Sequence, residues 1–132
     1  MNGTTPATDY DQLAVNGTVD LGSSTLTLSG TYLTTPGVTN DLFFVILNDG
    51  VDAVTGTFNG LAEGSNVFAL NGQDYLISYT ADTTLTTVGN FGSVQGNDVA
   101  LMAVPEPSSF ASLLAGLGSL VGLQRFRRRR SA

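Results

Sequence analysis

Apolar and polar side chains alternate along the first part of the chain. In residues 12–33, QLAVNGTVDLGSSTLTLSGTYL, the apolar side chains stand two positions apart in three pairs: Leu13 and Val15, Val19 and Leu21, and Leu26 and Leu28. A period of two, with many threonines and valines, predicts β-strands. Glycines and asparagine interrupt the pattern at residues 16–17, 22–23 and 30, and they predict turns.

A continuous apolar run, LFFVIL, occupies residues 42–47. A short run of this kind that ends in a turn predicts a strand buried on both faces, and Asn48-Asp49-Gly50 supplies the turn. The next stretch, AVTGTFNGL at residues 53–61, has the pattern of a further, half-buried strand.

The clearest local signal is Asn71-Gly72, which separates the β-rich runs NVFAL and QDYLISYT. Asn-Gly is the preferred centre of a two-residue type I′ hairpin, so we expect a hairpin here. A last strand, Val99–Val104, should end at Pro105. The stretch between, residues 81–97, is predicted to be a longer loop with one short strand.

These elements predict an all-β domain over residues 1–103, with a loose beginning around Gly3 and Pro6. Two architectures fit the pattern, a parallel β-solenoid and a small antiparallel sandwich. We favour solenoid-like rungs at the start, followed by an antiparallel hairpin region.

Charge and residue types exclude several classes of function. Residues 1–124 carry eleven acidic side chains and no basic one, and the chain has neither histidine nor cysteine. Nucleic-acid binding needs lysine and arginine spread over a surface, so it is excluded. The commonest general base, metal ligand and thiol nucleophile are missing, and no spacing singles out a pair of carboxylates. We expect no catalytic residue, no metal and no cofactor.

Two further patterns leave alternatives open. The stretches NDGVDAVTG (48–56) and GSVQGNDV (92–99) place Asp and Asn beside Gly, as calcium loops do, but the EF-hand spacing and the glycine-rich calcium repeat are absent. Turn formation explains both stretches. Alternating threonines, as at residues 25–27 and 55–57, fit the solvent side of a strand or a flat face for glycan or ice.

The last part of the chain differs from the body. Pro105 and Pro107 end the sheet and favour an extended linker. Residues 108–123 carry no charge and would form a helix about 24 Å long, or about 28 Å when continued to Phe126, against a hydrocarbon core of about 30 Å. Residues 108–126 are therefore a marginal membrane span.

All five basic residues follow or lie within the end of this span: Arg125, Arg127, Arg128, Arg129 and Arg130. Positive charge beside a span stays cytoplasmic. The predicted topology is a single pass with the C-terminus in the cytoplasm and residues 1–107 across the membrane.

The order of these parts, VPEP, a short apolar stretch and an arginine cluster, resembles the PEP-CTERM sorting signal of bacterial surface proteins. The resemblance covers residues 104–132. It implies recognition by exosortase, a membrane cysteine protease–transpeptidase, with Pro105, Glu106 and Pro107 as the sorting motif and the five arginines as the basic stop. It also implies cleavage near the motif and a cell-surface or extracellular product.

The body resembles the last segments of autotransporter-associated β-strand repeat proteins, in DQLAVNGTVDL, VTGTFNGLAEGS, YLISYTAD and GNDVALMAV. It departs from them by the insertion TTLTTVGNFGSVQ (83–95). Both resemblances imply export, yet the first residues do not form a secretory signal. We therefore expect the C-terminal piece of a longer protein or a misassigned start.

The resulting hypothesis is a non-enzymatic bacterial surface or exported protein, with a β-rich extracytoplasmic domain at 1–103 and a sorting signal at 104–132. The expected partners are an exosortase-type protease and the lipid bilayer. A surface glycan or the extracellular polymeric matrix stays open as a partner of the body. The alternative is a carbohydrate- or ice-binding β module held at the membrane by an unprocessed tail.

Overall fold

A computed structural model describes residues 1–33, 41–70, 72–83, 91 and 96–104. These ranges contain five strands: β1 (Leu13–Val15), β2 (Leu42–Asn48), β3 (Asn66–Leu70), β4 (Gln73–Ala81) and β5 (Asp98–Val104). The prediction of an all-β body is confirmed for them. None of the residues in these ranges belongs to a helix long and apolar enough to cross a membrane.

The five strands form one mixed sheet in the order β1-β2-β5-β4-β3. β1 runs parallel to β2, and the other three pairs are antiparallel. Leu101 of β5 stands opposite Phe43 of β2 on one side and Ile77 of β4 on the other. Within the described ranges, neither the stacked rungs of a solenoid nor the second sheet of a sandwich is seen.

The central strand, β5, is the most deeply buried element. Its first six residues are all buried, and Leu101 has no exposed surface. A strand covered on both faces and paired along both edges leaves no position for a polar side chain without a partner, which explains the continuous apolar sequence from Val99 to Val104. The predicted last strand is therefore confirmed, and it lies in the middle of the sheet.

β2 is also confirmed, and none of its residues is exposed. Phe43 is fully buried at the centre of an aromatic group. The rings of Tyr10, Tyr32 and Tyr75 stand edge-on to it, with centroids 5.3, 5.1 and 6.0 Å away. Edge-to-face contacts of this kind stabilise a core beyond the burial of area alone.

Two stretches with a strand pattern, residues 16–33 and 53–61, form no strand in the described structure. They are joined by an isolated bridge, Asp20 with Thr55, and by a hydrogen bond from the Asn59 amide to the Ser24 carbonyl at 2.8 Å. Apolar side chains of both stretches nevertheless pack into the core, where Val19 and Phe58 are buried. Positive φ angles at Gly22, Ser23 and Gly56 bend the chain away from the ladder.

The hairpin at Asn71-Gly72 is confirmed. Leu70 of β3 pairs with Gln73 of β4, so two residues connect the strands. Gly72 has φ +85°, the left-handed region that favours glycine, while Asn71 is not among the described residues.

The expectation of a loose beginning is wrong. The Met1 carbonyl accepts hydrogen bonds from the Thr31 and Tyr32 amides, each 3.0 Å long, and Met1 packs against the core. The Asn2 amide donates to the Asp9 carbonyl at 2.8 Å. These contacts attach the first residues to the rest of the domain.

Candidate functional site

The described chain ends at the point where the predicted sorting signal begins. Val104 is the last residue of β5 and stands opposite Asp74 of β4. The preceding residue, Ala103, is fully buried, and its amide donates to the Asp41 carbonyl at 2.9 Å, on the β2 side. The chain is therefore held in the sheet up to the residue before Pro105.

The end of β5 has a side-chain cap. Gln73, the first residue of β4, is only 3% exposed. Its side-chain Nε2 donates to the Val104 carbonyl and, at 3.0 Å, to the Asp74 carbonyl. A buried amide group is costly unless its donors find acceptors, and here they do. We call Gln73, Asp74 and Val104 the junction.

The predicted site residues lie beyond the junction, outside the residues that the structure describes: Pro105, Glu106, Pro107, Arg125, Arg127, Arg128, Arg129 and Arg130. The predicted membrane span at 108–126 lies outside them as well. The division at residues 103 and 104 stays a prediction. The structure describes β5, the strand that leads into the motif, and the Gln73 side chain, which holds Val104 at the end of β5.

The two stretches considered for calcium do meet in space. Asn97 Nδ2 donates to the carbonyls of Asp49, Gly50 and Asp52, at 3.1, 3.4 and 3.3 Å. The buried Asp98 carboxylate accepts from the Asn48 amide at 2.9 Å. These side chains thus hold turns together, which is the role that turn formation predicts.

Four of these residues, Asn48, Gly50, Asn97 and Asp98, border a cleft of about 490 Å³. Two buried oxygens near it, Asn48 Oδ1 and Asp52 Oδ2, accept no hydrogen bond from the described part of the chain. Among the described residues, however, no three acidic, histidine or cysteine side chains converge in a way that could hold a metal ion.

Four tyrosines among the described residues have raised pKa values. Burial, together with a hydrogen bond to the Asp41 carboxylate, raises the pKa of Tyr32 far above its usual value. Burial and the nearby Asp41 charge raise the pKa of Tyr75. Burial also raises the pKa of Tyr10 and Tyr79, partly offset by hydrogen bonds with the backbone at Phe44 and Phe58. All four hydroxyls are protonated at neutral pH, and those of Tyr10, Tyr32 and Tyr79 make hydrogen bonds.

Comparison with known proteins concerns the tail. Residues 103–130 match the family model of the PEP-CTERM protein-sorting motif, so the resemblance of the tail is confirmed. The match includes the Pro-Glu-Pro residues, the uncharged stretch and all five arginines. No curated protein and no solved structure matches the chain. The resemblance of the body to autotransporter-associated repeat proteins finds no support.

Proposed function

We propose, from the PEP-CTERM motif at residues 103–130, that this chain is an exported bacterial protein whose tail exosortase removes when it sorts the body to the cell surface. The motif suggests such a signal, and recognition by this membrane protease follows from it. The observation that carries the proposal is the complete order of parts within the match: prolines around a glutamate, an uncharged stretch, then arginines.

The proposed precursor crosses the membrane once, with residues 108–126 in the bilayer and the C-terminus in the cytoplasm. The distribution of charge supports this topology, because every basic residue lies between 125 and 130 and none lies in the body. Arginine beside a span stays on the cytoplasmic side, and Arg125 is long enough to reach the interface from within the span.

The body is proposed to be non-enzymatic. It lacks histidine and cysteine, and several of its carboxylates accept hydrogen bonds from backbone amides. Asp49 accepts from Gly17 at 2.7 Å, Asp20 from Gly22 at 2.9 Å, and Glu63 from Tyr79 at 2.7 Å. Carboxylates in such bonds order turns and loops rather than transfer protons.

Intact mass of the surface-extracted protein tests the proposal. In a host with exosortase, we expect the mature protein to have lost the arginine cluster. The same chain in a host from which the exosortase gene has been deleted should keep it, and this strain is the control. A mature population that still ends at Ala132 in the exosortase host would contradict the proposal.

Such an unclipped end would favour the alternative, a carbohydrate- or ice-binding module held by its tail. That alternative has less support. A flat threonine face needs adjacent strands, but Thr25, Thr27 and Thr57 lie on segments outside the strands of the sheet.

A further inference from the structure

We infer that Gln73 is a positioning residue for processing: it closes the sheet in front of the sorting motif and limits the access of the protease to the residues upstream of Pro105. The inference rests on the proposed function. It concerns how the folded body controls the use of its own signal, and it needs only the geometry of the junction and the order of residues after it.

The register of the sheet brings Gln73 to the end of β5. Asp74 stands opposite Val104, so the next pair of an antiparallel ladder would join Gln73 to Pro105. Proline has no amide hydrogen and cannot continue the ladder. The side-chain amide of Gln73 instead bonds the Val104 carbonyl, at the level where backbone pairing has to stop. The end of β5 is thereby protected from fraying.

A second feature is the position of β5. Both edges of this strand are paired, with β2 and with β4, and Ala103 is fully buried. Proteins that bind a peptide in extended form use its backbone groups and alternate side chains over several residues. Upstream of Pro105 these groups are already used within the sheet. No spacer separates Val104 from the motif.

Together these facts make processing dependent on a local opening. A protease that binds residues on both sides of the motif can do so only after Val104, and then Ala103, has unpaired from the sheet. The rate then contains the equilibrium constant of that opening, as it does for other local unfolding reactions. Gln73 lowers this constant, so the folded body slows the removal of its own tail.

The test compares Gln73→Ala with Gln12→Ala. Gln12 is a matched control because its Nε2 also donates to a backbone carbonyl of the sheet, that of Phe44 at 2.8 Å, far along the chain from the junction. Loss of the arginine cluster is followed by pulse-chase and mass spectrometry in the exosortase host. We expect processing of Gln73→Ala to be about fivefold faster, the change in a local opening that one hydrogen bond controls, and Gln12→Ala to match the original chain.

Insertion of a spacer distinguishes an effect at the junction from a change in the stability of the whole domain. About six Gly and Ser residues inserted between Val104 and Pro105 give the protease flexible chain. We expect the insertion to speed processing and to abolish the effect of Gln73→Ala when the two changes are combined. Gln73→Met, which keeps the length of the side chain without its donors, should act as Gln73→Ala does. Amide exchange should rise at Val104 and stay unchanged at Leu101.

The outcomes are distinct. Equal processing of the original chain, Gln73→Ala and Gln73→Met would overturn the inference and leave the proposed function intact. A spacer that does not remove the effect, or exchange that rises equally at Leu101, would overturn it as well, because the effect would then be general destabilisation. If no variant loses its arginines, including the one with the spacer, the proposed function itself fails.

Discussion

Two buried tyrosines of β4 have opposite hydrogen-bonding states. The Tyr79 hydroxyl accepts from the Phe58 amide at 3.0 Å and donates to the Leu61 carbonyl at 2.8 Å, so it ties the loop at 58–61 to the sheet. The Tyr75 hydroxyl is buried and has no hydrogen-bond partner among the described residues. The same chemical group therefore stabilises at one position and costs desolvation at the other.

We expect Tyr79→Phe to lower the free energy of unfolding by about 1–3 kcal/mol, because the change leaves a buried amide and a buried carbonyl without partners. Tyr75→Phe should change it by less than about 0.5 kcal/mol or increase it, since only an unsatisfied group is removed. Urea unfolding of the two variants measures both values. Equal losses would contradict the assignment of the two hydroxyls.

At the hairpin, Gly72→Val should cost about 1–3 kcal/mol, because a β-branched residue is strained at a φ of +85°. Gly72→Asn is the matched control, since asparagine tolerates this region, and it should cost clearly less. Gly3 lies in the stretch predicted to be loose, but it is not a neutral control, because an added Cβ there would lie 2.5 Å from Asp9 Oδ2. Thermal melts rank the variants. Equal melting points for Val and Asn would argue against a strained position.

At the scale of elements, β5 and β1 differ most in their contribution to stability. Leu101 in β5 is fully buried, whereas Leu13 in the edge strand β1 is 58% exposed. Leu101→Ala should therefore cost about 2–5 kcal/mol in free energy of unfolding, and Leu13→Ala less than about 0.5 kcal/mol. Urea unfolding measures both. Similar costs would mean that β5 is not the centre of the core.

The sequence predicts those elements whose signal is local. The apolar run at 42–47, the run at 99–104 and Asn71-Gly72 indicate β2, β5 and the hairpin, and the structure has all three. At residues 16–33 and 53–61 the alternation correctly predicts which side chains are buried, but it does not predict whether the backbone pairs in a sheet. Positive φ angles at Gly22 and Gly56 interrupt the pairing, and the two glycines lie close together where the segments meet.

Strand order and the junction could not be predicted in this way. Alternation says which side chains face the core, but it does not say that β5 inserts between β2 and β4. Gln73 is one polar residue after a turn, and only the pairing of Asp74 with Val104 brings its amide group to the end of β5. The motif itself is the opposite case, because its sequence pattern alone is specific enough.

At the scale of the whole molecule, the tyrosines set the response to alkali. The chain has no lysine, histidine or cysteine, and the pKa values of Tyr10, Tyr32, Tyr75 and Tyr79 are raised from 10.0, first of all by burial. A raised pKa in the folded state means that the unfolded state loses its protons first. The stabilising contribution is complete below about pH 10 and is lost as pH rises above it.

We therefore expect the free energy of unfolding to fall as the pH rises above about 10, and to fall less steeply in Tyr75→Phe. Urea unfolding at a series of pH values measures the slopes. A slope that is the same in the original chain and in Tyr75→Phe would show that ionisation of Tyr75 does not contribute to the alkaline limit.

The place of β5 in the sheet also fixes when the body can fold. This strand is the last of the five to be synthesised, yet β2 and β4 pair with it and not with each other. Until residues 98–104 have been synthesised, no strand is present to join the β1–β2 pair to the β4–β3 pair. The five-stranded sheet can be completed only once β5 is present. Completion of the sheet therefore depends on the few residues that directly precede the Pro-Glu-Pro residues of the sorting motif.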